Sequence, residues 1–283
     1  MERNLAGSFI IHHSSLITFP ACKINLGLRI TEKRSDGFHN LQSCFYPVGW
    51  GDVLEIIPAD KFSFSSSGLF IPGDLQSNLC VLAYMLLKAD VDLPPVQMHL
   101  HKLVPIGAGL GGGSADAAFV LRSLNEQFGL GLSVSQLEDY ARQLGSDCAF
   151  FIQNRLLYCV EKGDIFSEIS VDLKGYHIML VYPNLAISTA EAYAGVRPKQ
   201  PETPLFEQLQ MPIANWQDTV HNDFEDSLFP QYPVLGQIKQ QLYDAGAVYA
   251  SMSGSGSTIY GIFNSPIAIP NQFSAYRVWE GEL

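Results

Sequence analysis

The stretch Pro105-Ile106-Gly107-Ala108-Gly109-Leu110-Gly111-Gly112-Gly113-Ser114 decides how the rest of the chain is read. Five of the seven positions from 107 to 113 are glycine, so the segment can fold tightly and let a ligand approach the bare backbone. Before it, Val96 to Lys102 alternates Val96, Met98 and Leu100 with polar neighbours, the pattern of a half-buried strand. After it, Ala115 to Phe128 is rich in helix formers. A helix start offers unpaired N–H groups and the positive end of the helix dipole. Set behind a glycine loop, that end is an anion site, with phosphate as its common occupant. Ser114 can cap the helix or touch a phosphate-bound Mg2+. The plainer alternative is a structural loop packed against another backbone.

Two known phosphate signatures fit only in part. Gly107, Gly109 and Gly112 satisfy the dinucleotide spacing, but the next predicted element is a second helix, from Ser133 to Leu144, and not the strand that a dinucleotide fold requires. Gly107 and Gly112 have the Walker A spacing, yet Gly113 stands where lysine is needed. The loop is therefore a phosphate cradle of another class.

Outward from the loop, the chain reads as interleaved strands and helices with hairpins early, an α+β pattern. A strand or strand pair is expected over Leu16–Thr31, a turn at Asp36-Gly37, and short strands at Leu41–Tyr46, Asp52–Pro58 and Lys61–Ser66. Asn78 can cap a helix running to Lys88, and Ser133 with Gln136 forms a capping box. Strands follow at Tyr176–Tyr182, Val248–Met252 and Thr258–Phe263, with a helix over Val234–Ala245. A boundary between Gln153 and Val160 divides the chain into residues 1–157 and 158–283.

Composition narrows the function classes. With 283 residues the chain suits about two domains, and 47% apolar against 16% charged residues argues against disorder. The net charge of −11 and the lack of a basic run argue against nucleic-acid binding. The longest apolar run, Leu79–Leu87, is too short for a membrane span, and Met1–Ser15 lacks the apolar core of a secretory signal. The His12-His13 pair is too short for a tag or metal site. Cys22, Cys44, Cys80, Cys148 and Cys159 form no CxxC pair, so buried free thiols in a cytoplasmic protein are expected.

Three further clusters carry chemistry. Pro20-Ala21-Cys22-Lys23-Ile24-Asn25-Leu26 puts a lysine in an apolar strand, where a charge needs a partner. Leu144-Gly145-Ser146-Asp147 puts an acid just past a helix end. Ser253-Gly254-Ser255-Gly256-Ser257 is a second glycine turn. A Lys23–Asp147 pair meeting near the glycine loop is the testable expectation; an edge-strand lysine, a turn aspartate and a loose hairpin are the plainer readings.

Together with Arg34-Ser35-Asp36-Gly37-Phe38-His39, these segments resemble the GHMP kinase superfamily, in an order and spacing that agree from about residue 16 to 263. The Lys-Ile-Asn-Leu and Asp-Gly-Phe-His combination resembles the branch that phosphorylates a hydroxyl of a cytidine diphosphate-linked substrate on the non-mevalonate route to isoprenoids. The resemblance implies a two-domain α+β fold with the active site in the interdomain cleft, and ATP with Mg2+ as cofactors. It implies Lys23 and Asp147 as catalytic residues. Asn78, Lys102, Pro105, Gly107, Gly109, Leu110, Gly111, Gly112, Gly113 and Ser114 would hold the nucleotide, Ser114 also the metal. Asn25, Phe38, His39, Tyr193, Gly254, Ser255 and Gly256 would hold the substrate, with Phe38 and Tyr193 sandwiching the cytosine and His39 reading its edge. A monomer or homodimer is expected, with no nucleic-acid or membrane partner.

The chain departs from the family pattern in places. Phe38 stands where tyrosine is usual, Cys22 replaces a small alanine, and Ala108 interrupts the glycines, tolerable if its φ is negative. After Phe263 the chain is short for the family's C-terminal helix. The rival readings are a sibling kinase acting on a sugar, homoserine or mevalonate, and a nucleotide-binding module without turnover.

Overall fold

The computed structural model describes residues 15–283; the readings made on residues 1–14, His12-His13 among them, lie outside the described residues. The first half of the chain runs β1 (Leu16–Thr18), β2 (Ala21–Lys33), β3 (His39–Gly51), β4 (Val53–Pro58), β5 (Ser63–Gly68), α1 (Leu79–Asp90), β6 (Val96–Lys102), α2 (Gly112–Gln127), α3 (Val134–Leu144), α4 (Cys148–Gln153), β7 (Leu157–Glu161) and β8 (Ile165–Ser167). The second half runs β9 (His177–Tyr182), α5 (Thr189–Ala194), α6 (Leu205–Leu209), α7 (Trp216–Thr219), α8 (Glu225–Gln231), α9 (Pro233–Asp244), β10 (Tyr249–Met252), β11 (Ile259–Phe263) and β12 (Arg277–Glu282).

Three four-stranded sheets result, in the orders β1-β4-β6-β5, β2-β3-β7-β8 and β10-β11-β9-β12. Among the described strands, only β5 and β6 pair in parallel. The β2–β3 hairpin carries the site and is built locally. At its turn the Asp36 carboxylate accepts from the Phe38 amide at 3.1 Å, and Gly37 takes a φ of +88°. Gly27, at φ +68°, sits at a bulge in β2, and a Cβ there would strike Leu205 Cδ1 at 2.6 Å.

The local signals around the helices act as the sequence suggests. The Asn78 side chain caps α1 by accepting from the Cys80 amide at 2.9 Å. Ser133 and Gln136 close the capping box on α3. The helix after the glycine loop begins earlier than expected, at Gly112, with Gly111 as its left-handed cap. Ala108 is not among the residues with positive φ, so it interrupts the glycine run without strain. Where the family's C-terminal helix was in doubt, the chain makes β12 instead. That strand pairs with β9, and its Trp279 stacks on Trp50 at 6.5 Å.

Two apolar cores hold the molecule together, and each draws on both halves of the chain. In the first, Phe150 of α4 is fully buried and meets Phe45 edge-on at 5.2 Å. Burying such a ring is worth about 1.5–3 kcal/mol, which anchors the segment that follows Asp147. A division after residue 157 would cut β7 after its first residue, and β7 pairs with β3 on one side and β8 on the other. All five cysteines are buried and free. Among the described residues no helix is long and apolar enough to cross a membrane.

Candidate active site

The site is a cleft of about 770 Å3 into which both glycine turns, the β2–β3 hairpin and α5 project. Its floor is the start of α2. Gly107, Gly109 and Gly111 all have positive φ, at +66°, +77° and +68°, conformations that only glycine adopts freely. No side chain caps α2, so its first amides are not covered by a residue of the protein's own. A Cβ on Gly113 would meet nothing closer than Leu79 Cδ1 at 3.8 Å, and one on Gly107 nothing closer than Ala186 at 3.9 Å. These are ordinary contact distances, so no atom crowds either position, as an anion cradle needs. Pro105, Gly107, Gly109, Gly111, Gly112, Gly113 and Ser114 line the cleft. Leu110 does not: it turns into the second core, and its carbonyl accepts from the Lys23 amide at 3.0 Å.

Lys23 and Asp147, far apart in sequence, meet beside this cradle. Lys23 Nζ lies 3.3 Å from Asp147 Oδ2, donates to Asn25 Oδ1 at 2.6 Å, and sits 4.5 Å from the centre of the Phe45 ring. Lys23 is 3% exposed, whereas the Asp147 side chain keeps 31% of its surface. The ammonium is thus fixed from below and the carboxylate faces the cleft. A Cβ on Gly111 would come within 3.4 Å of Lys23 Cε, so the lysine stem abuts the loop. Asn25 is held in turn: its Nδ2 donates to Ser43 Oγ at 2.8 Å, and its carbonyl accepts from the Tyr260 hydroxyl at 2.7 Å.

A second charged group underlies the glycine-loop end of the cleft. Lys102 is 2% exposed; its ammonium binds the carboxylate of Asp52 and, at 2.7 Å, that of Asp116. Asp52 also accepts from the amides of Leu103 (2.6 Å) and Val104 (2.8 Å), fastening the end of β6. Burial works against charge on Lys102, but Asp116 and Asp52 outweigh it and hold its pKa above the usual lysine range. Burial pushes Asp116 well above the usual carboxylate range, so it is the member that resists ionisation. The Lys102 ammonium is therefore committed within the protein, and the Asn78 side chain is committed to its cap, although both residues line the cleft.

The far end of the cleft is aromatic. His39 and Tyr193 stack with ring centres 4.9 Å apart and planes at 27°, and Phe224 meets Tyr193 edge-on at 4.9 Å. Burial, then the charges of Asp147 and Cys159, pushes the Tyr193 phenol up to about 12, so it stays protonated. Burial, then Lys33, lowers the His39 pKa, which keeps the imidazole neutral at pH 7. Phe38, at the tip of the hairpin turn, lines the cleft while 58% exposed, with Lys162 Nζ 5.3 Å from its ring centre. The aromatic neighbour of Tyr193 in this structure is His39 and not Phe38.

The second glycine turn closes the remaining wall. Ser253 Oγ donates to the Gly109 carbonyl at 2.9 Å, and the Thr258 amide donates to the Ala108 carbonyl at 3.2 Å, so the two turns form one unit. Gly254 and Ser255 line the cleft; Gly256 lies behind them, where a Cβ would strike Met252 Sδ at 2.7 Å. Lys162, Phe224, Asp52 and the joining of Lys102 to Asp52 and Asp116 were not found from the sequence, although Lys102 itself was. The partners are distant in the chain, and only Lys102 sits in a pattern with a visible period.

The donor set suits an ion that arrives on phosphates. Among the described residues no group of three or more His, Cys, Asp or Glu could hold a metal by itself. Ser114 and Asp147 both line the cleft, a hydroxyl and a carboxylate of the oxygen type that Mg2+ takes alongside nucleotide phosphates. Ser114 also lies against the Cys148 thiol, which burial pushes up to about 11.

Comparison with known proteins agrees with this geometry. The family model described as GHMP kinases N terminal domain matches residues 78–155, and that described as GHMP kinases C terminal matches residues 209–278. The chain is 52% identical over 259 residues to a 4-diphosphocytidyl-2-C-methyl-D-erythritol kinase of Bacteroides thetaiotaomicron, covering 90% of this chain and 94% of the relative. It is 52% identical over 251 residues to the protein of the same name from Cytophaga hutchinsonii, covering 88% and 93%. Among solved structures, one titled as 4-(cytidine 5'-diphospho)-2C-methyl-D-erythritol kinase superposes with a TM-score of 0.78 at 27% identity, covering 94% of this chain and 98% of that one. A homoserine kinase from Cytophaga hutchinsonii shares the fold, with a TM-score of 0.66 at 16% identity over 91% of this chain and 87% of that one.

Proposed function

The chain belongs to the GHMP kinase family, and from that membership we propose that it transfers the γ-phosphoryl group of ATP to the 2-hydroxyl of 4-diphosphocytidyl-2-C-methyl-D-erythritol. The observation that carries the reading is the Lys23–Asp147 pair at 3.3 Å, set beside the uncovered start of α2 in a cleft whose opposite end is aromatic. Phosphoryl transfer asks the protein for alignment and charge neutralisation more than for covalent chemistry. The residues present supply both.

In this reading the glycine loop from Gly107 to Ser114 binds the nucleotide phosphates through backbone N–H groups, and Asn78, Lys102 and Pro105 shape the nucleotide half. Lys102 acts from beneath, by fastening β6 to the first turn of α2. Asp147 takes the proton of the substrate hydroxyl as its oxygen attacks the γ-phosphorus; the bond from that phosphorus to the bridging oxygen breaks and ADP leaves. Lys23, paired with Asp147 at 3.3 Å, holds that carboxylate in place and offsets charge on the moving phosphoryl group. Ser114 would hold Mg2+, with Asp147 near, and the ion would supply neutralisation of phosphate charge. Tyr193 and Phe38 take the faces of the cytosine, His39 its edge, Asn25 the polyol, and Gly254 to Gly256 the substrate diphosphate. The neutral His39 suits reading an uncharged base edge. We place the enzyme in the cytoplasm, a reading supported by its five buried, unpaired thiols.

The test is ADP release against a panel of the cytidine diphosphate substrate, CDP, mevalonate and homoserine. Turnover with the cytidine substrate alone is expected; turnover with mevalonate or homoserine alone would assign the chain to a sibling activity. Asp147→Asn should keep the fold and lower kcat by at least ~100-fold, the usual size of a general-base contribution. Near-wild-type turnover would remove Asp147 from the mechanism.

A further inference from the structure

Asn222 does not line the cleft, yet two walls of the cleft are fastened to it. It is fully buried. Its Nδ2 donates to the carbonyls of Met252 at 2.8 Å and Gly254 at 2.9 Å, and its Oδ1 accepts from the Phe224 amide at 3.0 Å. Its chain neighbours are bonded to β2: the Leu28 amide donates to the His221 carbonyl, and the Asp223 amide to the Leu28 carbonyl, both at 2.9 Å. The side chain is therefore pinned at its root and satisfied at its tip. A carboxamide alone offers two donors and an acceptor in this volume; an aspartate offers no donor when ionised and one when protonated, and leucine can do neither.

What hangs on those bonds is functional surface. Gly254 begins the turn assigned above to the substrate diphosphate. Phe224 presents its ring to the edge of Tyr193, at 4.9 Å and 82°, and so backs the wall assigned to the cytosine. We infer that Asn222 is a positioning residue for the cytidine diphosphate group, fixing the distance between the Tyr193 wall and the Gly254 turn while touching neither base nor phosphate itself. The nucleotide half has its own anchors, in the Asp52–Lys102–Asp116 group and in the bond from the Lys23 amide to the Leu110 carbonyl. A purely structural asparagine would, on removal, loosen both halves together. The inference rests on the functional reading above.

The test uses Asn222→Asp, which keeps the volume and the acceptor for Phe224 and removes at least one of the two donations, both when the carboxyl is ionised. Binding of CDP and of ADP is measured by titration calorimetry on the wild type and the variant, with KM and kcat for the cytidine substrate. CDP affinity should fall at least ~10-fold, the scale of one buried polar group left unpaired. ADP affinity should stay within about twofold, and the kinetic loss should fall on KM more than on kcat. Unchanged CDP affinity overturns the inference. So does a parallel loss of both ligands, which includes a variant too unstable to bind ADP, because it makes Asn222 a residue of the fold at large. A wild type that ignores CDP refutes the functional reading itself, and with it the premise used here.

Discussion

Replacing Gly109 by alanine should separate the two glycine turns. The new Cβ would lie 2.0 Å from the Ser253 carbonyl oxygen and 3.0 Å from the amide nitrogen and the carbonyl oxygen of Gly256. Real Cβ atoms stay at or beyond 3.0 Å, so the backbones must part by about 1 Å at the closest point. Both sides of the clash are main chain, tied by the Ser253 Oγ to Gly109 bond, and no side chain can swing away. The φ of +77° adds the left-handed cost of about 1–2 kcal/mol. Overpacking of this kind costs a further ~1–3 kcal/mol. The expected loss of stability is therefore roughly 2–5 kcal/mol. A shift of about 1 Å in a phosphate-holding loop should also lower kcat by on the order of 100-fold. Gly131→Ala is the control: its φ is +70°, nothing lies within 4 Å of the added Cβ, and only the left-handed cost applies. Urea denaturation of both variants, with kcat from ADP release, checks the claim. Equal destabilisation in the two, with kcat of the Gly109 variant within twofold of wild type, would show that the turns do not bear on each other as argued.

The other expectations are quickly stated. Asp52→Asn should weaken the buried partner of Lys102 and cost about 3–5 kcal/mol in chemical denaturation, the range for breaking a buried ion pair; a loss under 1 kcal/mol would mean that Asp116 and the Lys102 ammonium rearrange without cost. Tyr193→Ala should raise KM for the cytidine substrate with the KM for ATP spared, and an equal rise in both would displace the base site from this wall. His39 carries a pH signature: its folded-state pKa lies below the ordinary value, so below about pH 6.5 the unfolded chain takes up a proton that the folded chain resists. Stability should then fall as pH drops through that range, and His39→Gln should flatten this part of the thermal-melt profile; an unchanged slope would assign it elsewhere.

What the sequence revealed depended on how local the deciding physics was. The caps at Asn78 and Ser133 rest on contacts within three residues, and both are where the pattern puts them. The alternation of β6 reports one buried face, and its burial follows that alternation. The strand expected at Leu41–Tyr46 proves to be part of thirteen-residue β3, because pairing with β2 extends it at both ends beyond its own apolar run. β12 was invisible for the same reason: Arg277–Glu282 is mostly polar and becomes a strand by adding to the edge at β9. The Lys23–Asp147 meeting could be posed as a question from cost alone, since a charge in an apolar strand needs a partner, but not which acid would answer it.

The same distinction separates the residues that line the cleft from those that place them. Glycines at 107, 109 and 111 advertise themselves because no other residue adopts their backbone cheaply. Asp52, Asn222 and Glu225 do not, because nothing near them in sequence demands their chemistry. Glu225 makes the point most plainly. Its carboxylate lies 4% exposed, accepts from Ser251 Oγ at 2.8 Å and the Met252 amide at 2.7 Å, and pairs with Lys239. In the chain it is one acid in Asn222-Asp223-Phe224-Glu225, indistinguishable from a solvated turn. Only the fold shows that this short polar run grips the second glycine turn from behind, just as Asp52 grips the end of β6 before the first. Both glycine turns are poor in side chains and have little means of holding their own shape. Each is therefore backed by a buried carboxylate that accepts main-chain amides, and the geometry of the cleft is set by groups that never face it.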